Sequence, residues 1–250
     1  MSADVLADLA SQHAELRGLI VDLPEEGWHA PTPCPGWDVA DVVLHLAQTD
    51  EAAIASAEGR LGVGPDGTLL GDRVADVDEL AERMVVEARS MTTAAVLARW
   101  ETATQRLRTV LDTTPPDRRV QWVVGTFTAR TLATTRLAET WIHTGDVADA
   151  LGAEVTVDDR IAHIARLAWR TVPYSFARAG LEAPAPVGFD LVLPSGARLS
   201  LGLDEAVTTV RGSALDLCRV AGQRAAAADT SLTAEGPAAD DVLRLVRTFA

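Results

Sequence analysis

The 250-residue sequence contains no lysine, so all 22 of its basic residues are arginine. A Schiff-base lysine and the lysine of a phosphate-binding loop are therefore both excluded. Acidic residues outnumber basic ones, 36 to 22, which gives a formal net charge of -14. Because such a charge repels phosphate backbones and anionic lipid surfaces, we expect neither a nucleic acid nor a membrane as a partner.

Cysteine is scarce, with Cys34 and Cys218 as the two examples. We interpret both thiols as reduced and structural. No charged segment followed by an apolar stretch opens the sequence, and no apolar run approaches the ~20 residues that a membrane span requires. These absences favour a cytoplasmic protein, and 48% hydrophobic residues predict a sizeable core.

The first part of the chain has the apolar spacing of helices. Helices are predicted over 3–23, over 39 to beyond Ile54, and over 76–89, 92–112 and 128–151. A Gly-rich, acidic loop is expected at about 59–74, and Gly152 is placed to end the last of these helices. Segment 120–127 is β-branched but too short to assign.

The remainder of the chain mixes both patterns. One helix is predicted over about 157–179, strands over 189–201 around a Pro-Ser-Gly turn and over 206–210 and 230–234, and helices over 213–224 and 237–249. The predicted fold class is α+β. We expect a helical bundle over 1–155, a connecting helix and linker over 156–184, and a small α/β domain over 185–250.

Three residues have the types and spacing of a metal site. Glu139 and His143 are four residues apart on one predicted helix and so share a face, and His45 lies on another. Two imidazoles and a carboxylate leave coordination positions open, as catalytic zinc sites do. Zinc is the default ion, while iron, nickel, cobalt and manganese also suit these donors.

Neighbouring polar residues extend this candidate site. One narrow polar line on the predicted helix consists of Arg136, Glu139, His143 and Asp146. The alternative interpretation of this line is a solvated helix face. The alternative for His45 is a hydrogen-bonded histidine at the boundary of the core. Asp146 is a candidate to anchor a ring N–H or an active-site water. Arg136 is either an ion-pair partner of Glu139 or a clamp for a substrate carboxylate.

Other chemistry-bearing residues carry weaker signals. His13 lies on the apolar stripe of the first helix, where a core position is the main interpretation and a position facing the same cavity is the alternative. His29 and Cys34 flank a Pro-rich turn but lack the second Cys/His pair of a zinc clip. The absence of a Gly-x-Ser-x-Gly elbow argues against a serine hydrolase of that type.

Two segments carry a family resemblance: Pro33-Cys-Pro-Gly-Trp-Asp-Val-Ala-Asp-Val-Val-Leu-His-Leu46 and Arg136-Leu-Ala-Glu-Thr-Trp-Ile-His-Thr-Gly-Asp146. They resemble the N-terminal domain of the mycothiol-dependent maleylpyruvate isomerase family, within the DinB-like superfamily. The resemblance implies a DinB-like four-helix bundle that holds one divalent ion through His45, Glu139 and His143. The tail from about 186 resembles the family's second domain, an α/β module related in shape to sterol carrier proteins.

The same resemblance implies mycothiol as a cosubstrate and an arginine that faces the ion, for which Arg224 is the anion-binding candidate. The leading hypothesis is a metal-dependent enzyme in which the ion lowers the pKa of this low-molecular-weight thiol. The thiolate then meets an electrophilic small molecule, in an S-transferase or a thiol-dependent isomerase. The predicted catalytic residues are Arg136, Asp146 and Arg224.

Two alternatives remain open. A metal-dependent hydrolase, dehydratase or lyase would use the same ion without a thiol. A non-catalytic protein would bind a small molecule in its C-terminal module and use the bundle as a scaffold. The substrate, the metal and the oligomeric state stay open.

Overall fold

Long helices pack on one another in the first part of the computed structural model, which describes residues 4–61, 77–122 and 125–248. They are α1 (Val5–Ile20), α3 (Val39–Ala57), α5 (Thr93–Thr113) and α6 (Ala129–Leu151), with the shorter α2 (Glu25–Trp28) and α4 (Val77–Ala88) between them. Helices α1 and α3 each pack against both α5 and α6. The helices predicted here are confirmed, while the loop predicted at 59–74 lies, from residue 62 onward, outside the described residues.

Local chemistry fixes the ends of the two helices that carry the candidate ligands. Helix α3 begins with a capping box, in which the Asp38 and Asp41 side chains accept hydrogen bonds from each other's backbone N–H. Thr128 caps α6 by accepting a hydrogen bond from the N–H of Thr131. Gly152 ends α6 at φ +62, a left-handed conformation that side chains with a Cβ resist.

Buried apolar side chains between the helices form two clusters, one on each side of a polar layer. Members of the first include Leu9 of α1 and Ala53 of α3, and members of the second include Leu16 and Leu46 of the same helices. Each fully buried leucine side chain among them contributes about 1.5–3 kcal/mol to folding. The polar side chains between the clusters gain no such stabilisation, so hydrogen bonds and ion pairs must offset the cost of burying them.

A buried ion pair supplies that compensation and joins α3 to α6. Arg136 Nε donates to Asp50 Oδ1 at 2.9 Å, and its Nη2 donates to Thr49 Oγ1 at 2.7 Å. The Arg136 and Asp50 side chains are only 2% and 1% exposed. Thr49 in turn donates to the carbonyl oxygen of His45 at 2.9 Å. The pair thus ties α6 to the turn of α3 that begins at His45.

His13 belongs to the same polar layer. It is buried, and its Nε2 lies 3.7 Å from Asp50 Oδ2. Burial lowers the pKa of His13, against the influence of the Asp50 carboxylate. The interpretation of His13 as a core histidine therefore agrees with its place in the structure.

A short hairpin precedes α6. It consists of β1 (Arg119–Trp122) and β2 (Gly125–Thr128), paired antiparallel. Within segment 120–127, which the sequence left unassigned, residues 120–122 and 125–127 are strand, and 123–124 lie outside the described residues. Ser56 of α3 donates a hydrogen bond to the carbonyl oxygen of Gln121, which attaches the hairpin to the long helices.

The chain divides into two compact units, Met1–Val155 and Thr156–Ala250, and the second contains a sheet and further helices. Its strands are β3 (Val187–Val192), β4 (Arg198–Leu201), β5 (Thr208–Ser213) and β6 (Thr233–Glu235), and its helices are α7 (Ile161–Arg170), α8 (Val172–Arg178), α9 (Ala214–Ala221) and α10 (Ala239–Leu245). The sheet has the strand order β4-β3-β5-β6. Strand β3 is antiparallel to β4 and parallel to β5. The predicted hairpin within 189–201 and the α+β fold class, helical first and mixed afterwards, are confirmed.

The prediction of one helix over 157–179 is wrong. The structure has two helices, α7 and α8, which meet at Thr171. Pro173 lies in the first turn of α8, where its missing N–H costs nothing, whereas inside a continuous helix it would break the hydrogen-bond ladder. These helices belong to the second unit, in which Trp169 Nε1 donates to the carbonyl oxygen of Val187 at 2.8 Å. The domain limits proposed from the sequence stay a prediction.

Across the residues that the structure describes, the helices lack the combination of length and apolarity needed to span a bilayer.

Replacing Asp50 by Ala should destabilise the first unit strongly, because it leaves the Arg136 guanidinium buried without its anion. We expect a loss of about 3–5 kcal/mol in the free energy of unfolding, measured by urea denaturation. Glu51→Ala is the matched control, since Glu51 pairs with Arg99 where the two side chains are 43% and 30% exposed. That exposed pair should contribute about 1 kcal/mol or less. Equal losses in both variants would contradict a special role for the buried pair.

Candidate metal centre

His45 of α3 and Glu139 and His143 of α6 meet inside the first unit. His45 Nε2 lies 3.0 Å from Glu139 Oε1, and His143 Nε2 lies 3.6 Å from the same oxygen. One donor atom from each residue lies within 4.8 Å of the others. The structure therefore brings together the three residues that the sequence selected, and their role as metal ligands stays a prediction.

Asp146 lies behind His143, one helical turn further along α6. Its Oδ2 is 2.8 Å from His143 Nδ1, and the Asp146 side chain is 1% exposed. A carboxylate at this place holds the proton on Nδ1, so that the opposite nitrogen, Nε2, faces the Glu139 side and offers its lone pair once its own proton is lost. Metal-binding histidines are commonly oriented in this way.

The hydrogen bonds around these rings shift the pKa values in opposite directions. Burial alone would lower the pKa of His143, but its hydrogen bonds to Asp146, Cys34 and Glu139 hold the pKa well above the ordinary value. Burial would raise the pKa of Glu139, but hydrogen bonds from His143 and His45 hold it well below. Burial prevails at His45 and lowers its pKa despite the hydrogen bond to Glu139. At neutral pH the cluster thus holds a cationic His143, an anionic Glu139 and a neutral His45.

Comparison with known proteins places the chain in a family. The family model described as the mycothiol maleylpyruvate isomerase N-terminal domain matches residues 9–148, a range that includes all three candidate ligands. The chain belongs to this family. The resemblance noted from the two sequence segments is thereby confirmed.

Similar full-length proteins extend the match beyond the N-terminal domain. Two proteins of Mycobacterium tuberculosis, from strains CDC 1551 and H37Rv, are 34% identical to this family member over 246 residues. The match covers 98% of this chain and 95% of each of theirs, and both carry the name uncharacterized protein.

Two solved structures share the fold. They are the mycothiol-dependent maleylpyruvate isomerase and a histidine-to-alanine mutant of it, at 19% and 18% sequence identity. Each superposes with a TM-score of 0.63 and covers 94% of both chains. At this level of identity the likeness concerns the fold.

The donor set of this family member fits a divalent cation. Ligand atoms bonded to one ion at about 2.1 Å in tetrahedral geometry lie about 3.4 Å from one another. The separations of 3.0 and 3.6 Å from Glu139 Oε1 to the two imidazole nitrogens lie on either side of that value. Two imidazoles and one carboxylate also match the ligand types of open zinc sites. His45, Glu139 and His143 are thus the residues that would hold the ion.

The structure gives Arg136 a different partner from the one expected. Both interpretations from the sequence placed it at the site, as an ion-pair partner of Glu139 or as a substrate clamp. Its hydrogen bonds run instead to Asp50 and Thr49. A buried guanidinium engaged in this way supports helix packing, because removing it from Asp50 would leave both charges uncompensated. A catalytic role of Arg136 stays a prediction.

Arg224 belongs to the second unit, where it follows α9. Its Nη1 donates to the carbonyl oxygen of Gly222 at 3.0 Å. The preceding Gln223 has φ +60, a left-handed conformation that is uncommon for a residue with a side chain. The anion-binding role of Arg224 stays a prediction.

Cys34 and Trp37 lie near the site, where sequence reasoning gave neither of them a role; it interpreted Cys34 as a structural thiol. The Trp37 ring lies 5.1 Å from the His45 ring and stacks at 6.5 Å over that of His143. Cys34 Sγ lies 3.2 Å from Asp146 Oδ2 and 3.9 Å from His143 Nδ1. The available signal was their position in the turn just before α3, but the packing of that turn on α6 is a long-range contact.

His29, which the sequence placed with Cys34 beside the Pro-rich turn, forms a hydrogen bond between its Nδ1 and Asp38 Oδ2 at 2.9 Å.

Metal affinity should rise with pH, because a proton on His143 Nε2 competes with the ion for the same lone pair. The raised pKa of His143 extends this competition to higher pH than an ordinary histidine would show. We expect the apparent affinity for Co²⁺ to increase about tenfold per pH unit below that pKa and to level off above it. Competition titrations with a chelating dye from about pH 6 upward measure this. A pH-independent affinity would contradict the assignment of His143 as a ligand.

Replacing Asp146 by Asn should weaken metal binding with little change in side-chain volume. The amide can direct an N–H at His143 Nδ1 and thereby favour the wrong tautomer. We expect the affinity for Zn²⁺ to fall about 10–100-fold. Asp149→Asn is the control on an exposed face of the same helix and should bind as the unmodified protein does. An Asp146→Asn variant with full affinity would show that the carboxylate does not orient the ring.

Proposed function

We propose that this protein is a divalent-metal-dependent enzyme that presents a low-molecular-weight thiol, mycothiol, to an electrophilic small molecule. The observation that carries the proposal is the convergence of His45, Glu139 and His143 on one point, with Asp146 behind His143. The metal is zinc by default. Two kinds of enzyme fit this description. A transferase would release a thiol conjugate, and an isomerase would release a rearranged substrate and return the thiol.

Family membership supports the thiol. The matching family model and the two structures with the same fold are those of mycothiol-dependent maleylpyruvate isomerases. When bound, a divalent ion lowers the pKa of a thiol in its coordination sphere and so supplies a thiolate at neutral pH. A thiolate adds to conjugated double bonds and displaces halides, so an electrophilic carbon defines the substrate class.

The residues of this chain have separable roles in the proposal. Glu139 contributes negative charge, and its low pKa keeps that charge at every pH of physiological interest. Burial keeps His45 neutral, so that its nitrogen is available as a donor. Asp146 retains the Nδ1 proton of His143. Trp37 lies beside both imidazole rings, which are themselves buried.

Cys34 is not the nucleophile in this proposal, although it is a thiol near the site. Its sulfur lies on the Nδ1 edge of His143, beside Asp146, whereas Nε2 of the same ring faces Glu139. The ring of His143 therefore stands between the Cys34 thiol and the candidate ligand atoms. The reacting thiol is accordingly expected to come from the cosubstrate.

The proposal predicts turnover that requires both the metal and the thiol. Zn²⁺-loaded protein and chelator-treated protein are compared with mycothiol and two electrophiles, maleylpyruvate and monochlorobimane. We expect product only from the metal-loaded protein and only with mycothiol present. Glu139→Gln should lower turnover by at least about 10-fold, because a neutral amide binds a divalent ion more weakly than the carboxylate that it replaces. His29→Ala, which changes an exposed histidine, should leave it unchanged.

The same assay separates the alternatives. Consumption of mycothiol selects the transferase, and a mycothiol requirement without consumption selects the isomerase. Turnover without any thiol would contradict the proposal and favour a hydrolase, dehydratase or lyase. A small molecule that binds equally well after His45, Glu139 and His143 are each replaced by Ala, with no turnover, would favour a non-catalytic binding protein.

A further inference from the structure

The turn that carries Cys34 has a rigid, locally determined shape. The N–H of Trp37 donates to the carbonyl oxygen of Cys34 at 3.1 Å, and Gly36 between them has φ +79. Pro35 followed by a glycine with positive φ is the pattern of a type II turn. Thr32 adds two hydrogen bonds, from its hydroxyl to the carbonyl oxygen of Trp37 and from the N–H of Cys34 to its hydroxyl. The position of the Cys34 thiol is therefore held by the backbone.

The thiol and an imidazole N–H share one acceptor. Asp146 Oδ2 receives the S–H of Cys34 at 3.2 Å and the Nδ1–H of His143 at 2.8 Å. Asp146 is almost completely buried, so water contributes little to fixing its carboxylate. Protein donors must therefore set its orientation.

We propose that Cys34 is a positioning residue: its thiol fixes Asp146 Oδ2 at the place where this oxygen takes the Nδ1–H of His143. The Nε2 atom of His143 is thereby kept on the side of Glu139. The consequence for metal binding rests on the proposed function, whereas the effect on His143 does not. A Cys34 side chain without a donor leaves the buried Asp146 Oδ2 with one hydrogen bond fewer and therefore less firmly directed at the ring.

Cys34, His143 and Asp146 also form a set whose donor atoms lie within 4.8 Å of one another, so direct ligation of an ion is the competing interpretation. The distances favour hydrogen bonding. The 2.8 Å between His143 Nδ1 and Asp146 Oδ2 is a charge-assisted hydrogen-bond distance. Two ligands of one tetrahedral ion would lie about 3.4 Å apart.

The first test uses metal-free protein and reads His143 directly. In protein labelled with ¹⁵N in histidine, the Nδ1–H proton of His143 should be observed and should exchange slowly with water. Cys34→Ala should speed this exchange by roughly tenfold, the effect of losing one buried hydrogen bond. Cys34→Ser keeps a donor and should restore most of the protection. Cys218→Ala, which changes a thiol of the second unit, is the control and should leave the exchange unchanged.

The second test follows the ion with Co²⁺. Cys34→Ala should lower the Co²⁺ affinity about 10-fold, and Cys34→Ser should bind nearly as well as the unmodified protein. Unchanged Nδ1–H exchange in Cys34→Ala would overturn the positioning role, and so would a thiolate-to-cobalt charge-transfer band that Cys34→Ser abolishes. Failure of the unmodified protein to bind Co²⁺ at all would instead count against the proposed function, because the exchange experiment decides the role of Cys34 without a metal.

Discussion

The buried Arg136–Asp50 ion pair is the contact on which the candidate site depends. It crosses from α6 to α3 in a polar layer between two apolar clusters, and Arg136 also bonds to Thr49, which bonds to the carbonyl oxygen of His45. Packing of apolar side chains alone allows neighbouring helices to slide or rotate by small amounts. A charged pair with fixed hydrogen-bond geometry permits only one register, because every other register leaves buried charges unpaired. We infer that this pair sets the distance between His45 and the candidate ligands on α6.

Two carboxylates contact opposite nitrogen atoms of the His143 ring. Glu139 faces Nε2 and Asp146 faces Nδ1 of the same ring. Together they raise the pKa of His143, so the metal-free site holds a proton where the proposed ion would bind. The metal-free site therefore pairs its own charges, and binding of the proposed ion would release that proton. Cys34 and Trp37 complete the surroundings from the turn before α3.

The sequence predicted most of the helices, and it predicted that His45, Glu139 and His143 lie close together. Helical periodicity and the spacing of four residues between Glu139 and His143 are local signals, so both can be recognised in a sequence. The prediction of a single helix was wrong at Thr171, because the apolar spacing continues past the break between the two helices that precedes Pro173. The sequence offered Glu139 or a substrate carboxylate as the partner of Arg136, whereas the structure pairs Arg136 with Asp50 of another helix, a contact that only packing brings about. The contact of Cys34 with Asp146 joins residues that are 112 positions apart, and no local pattern encodes it.

The central claim is that one divalent ion binds between His45, Glu139 and His143. Metal content by mass spectrometry, in protein purified without added metal or a histidine tag and again after Zn²⁺ reconstitution, tests it most directly. We expect about one ion per chain in the unmodified protein and in His29→Ala, and a near-complete loss in a His143→Ala variant that keeps its circular dichroism spectrum. Absence of bound metal in the unmodified protein after reconstitution, or full retention in His143→Ala, would contradict the account.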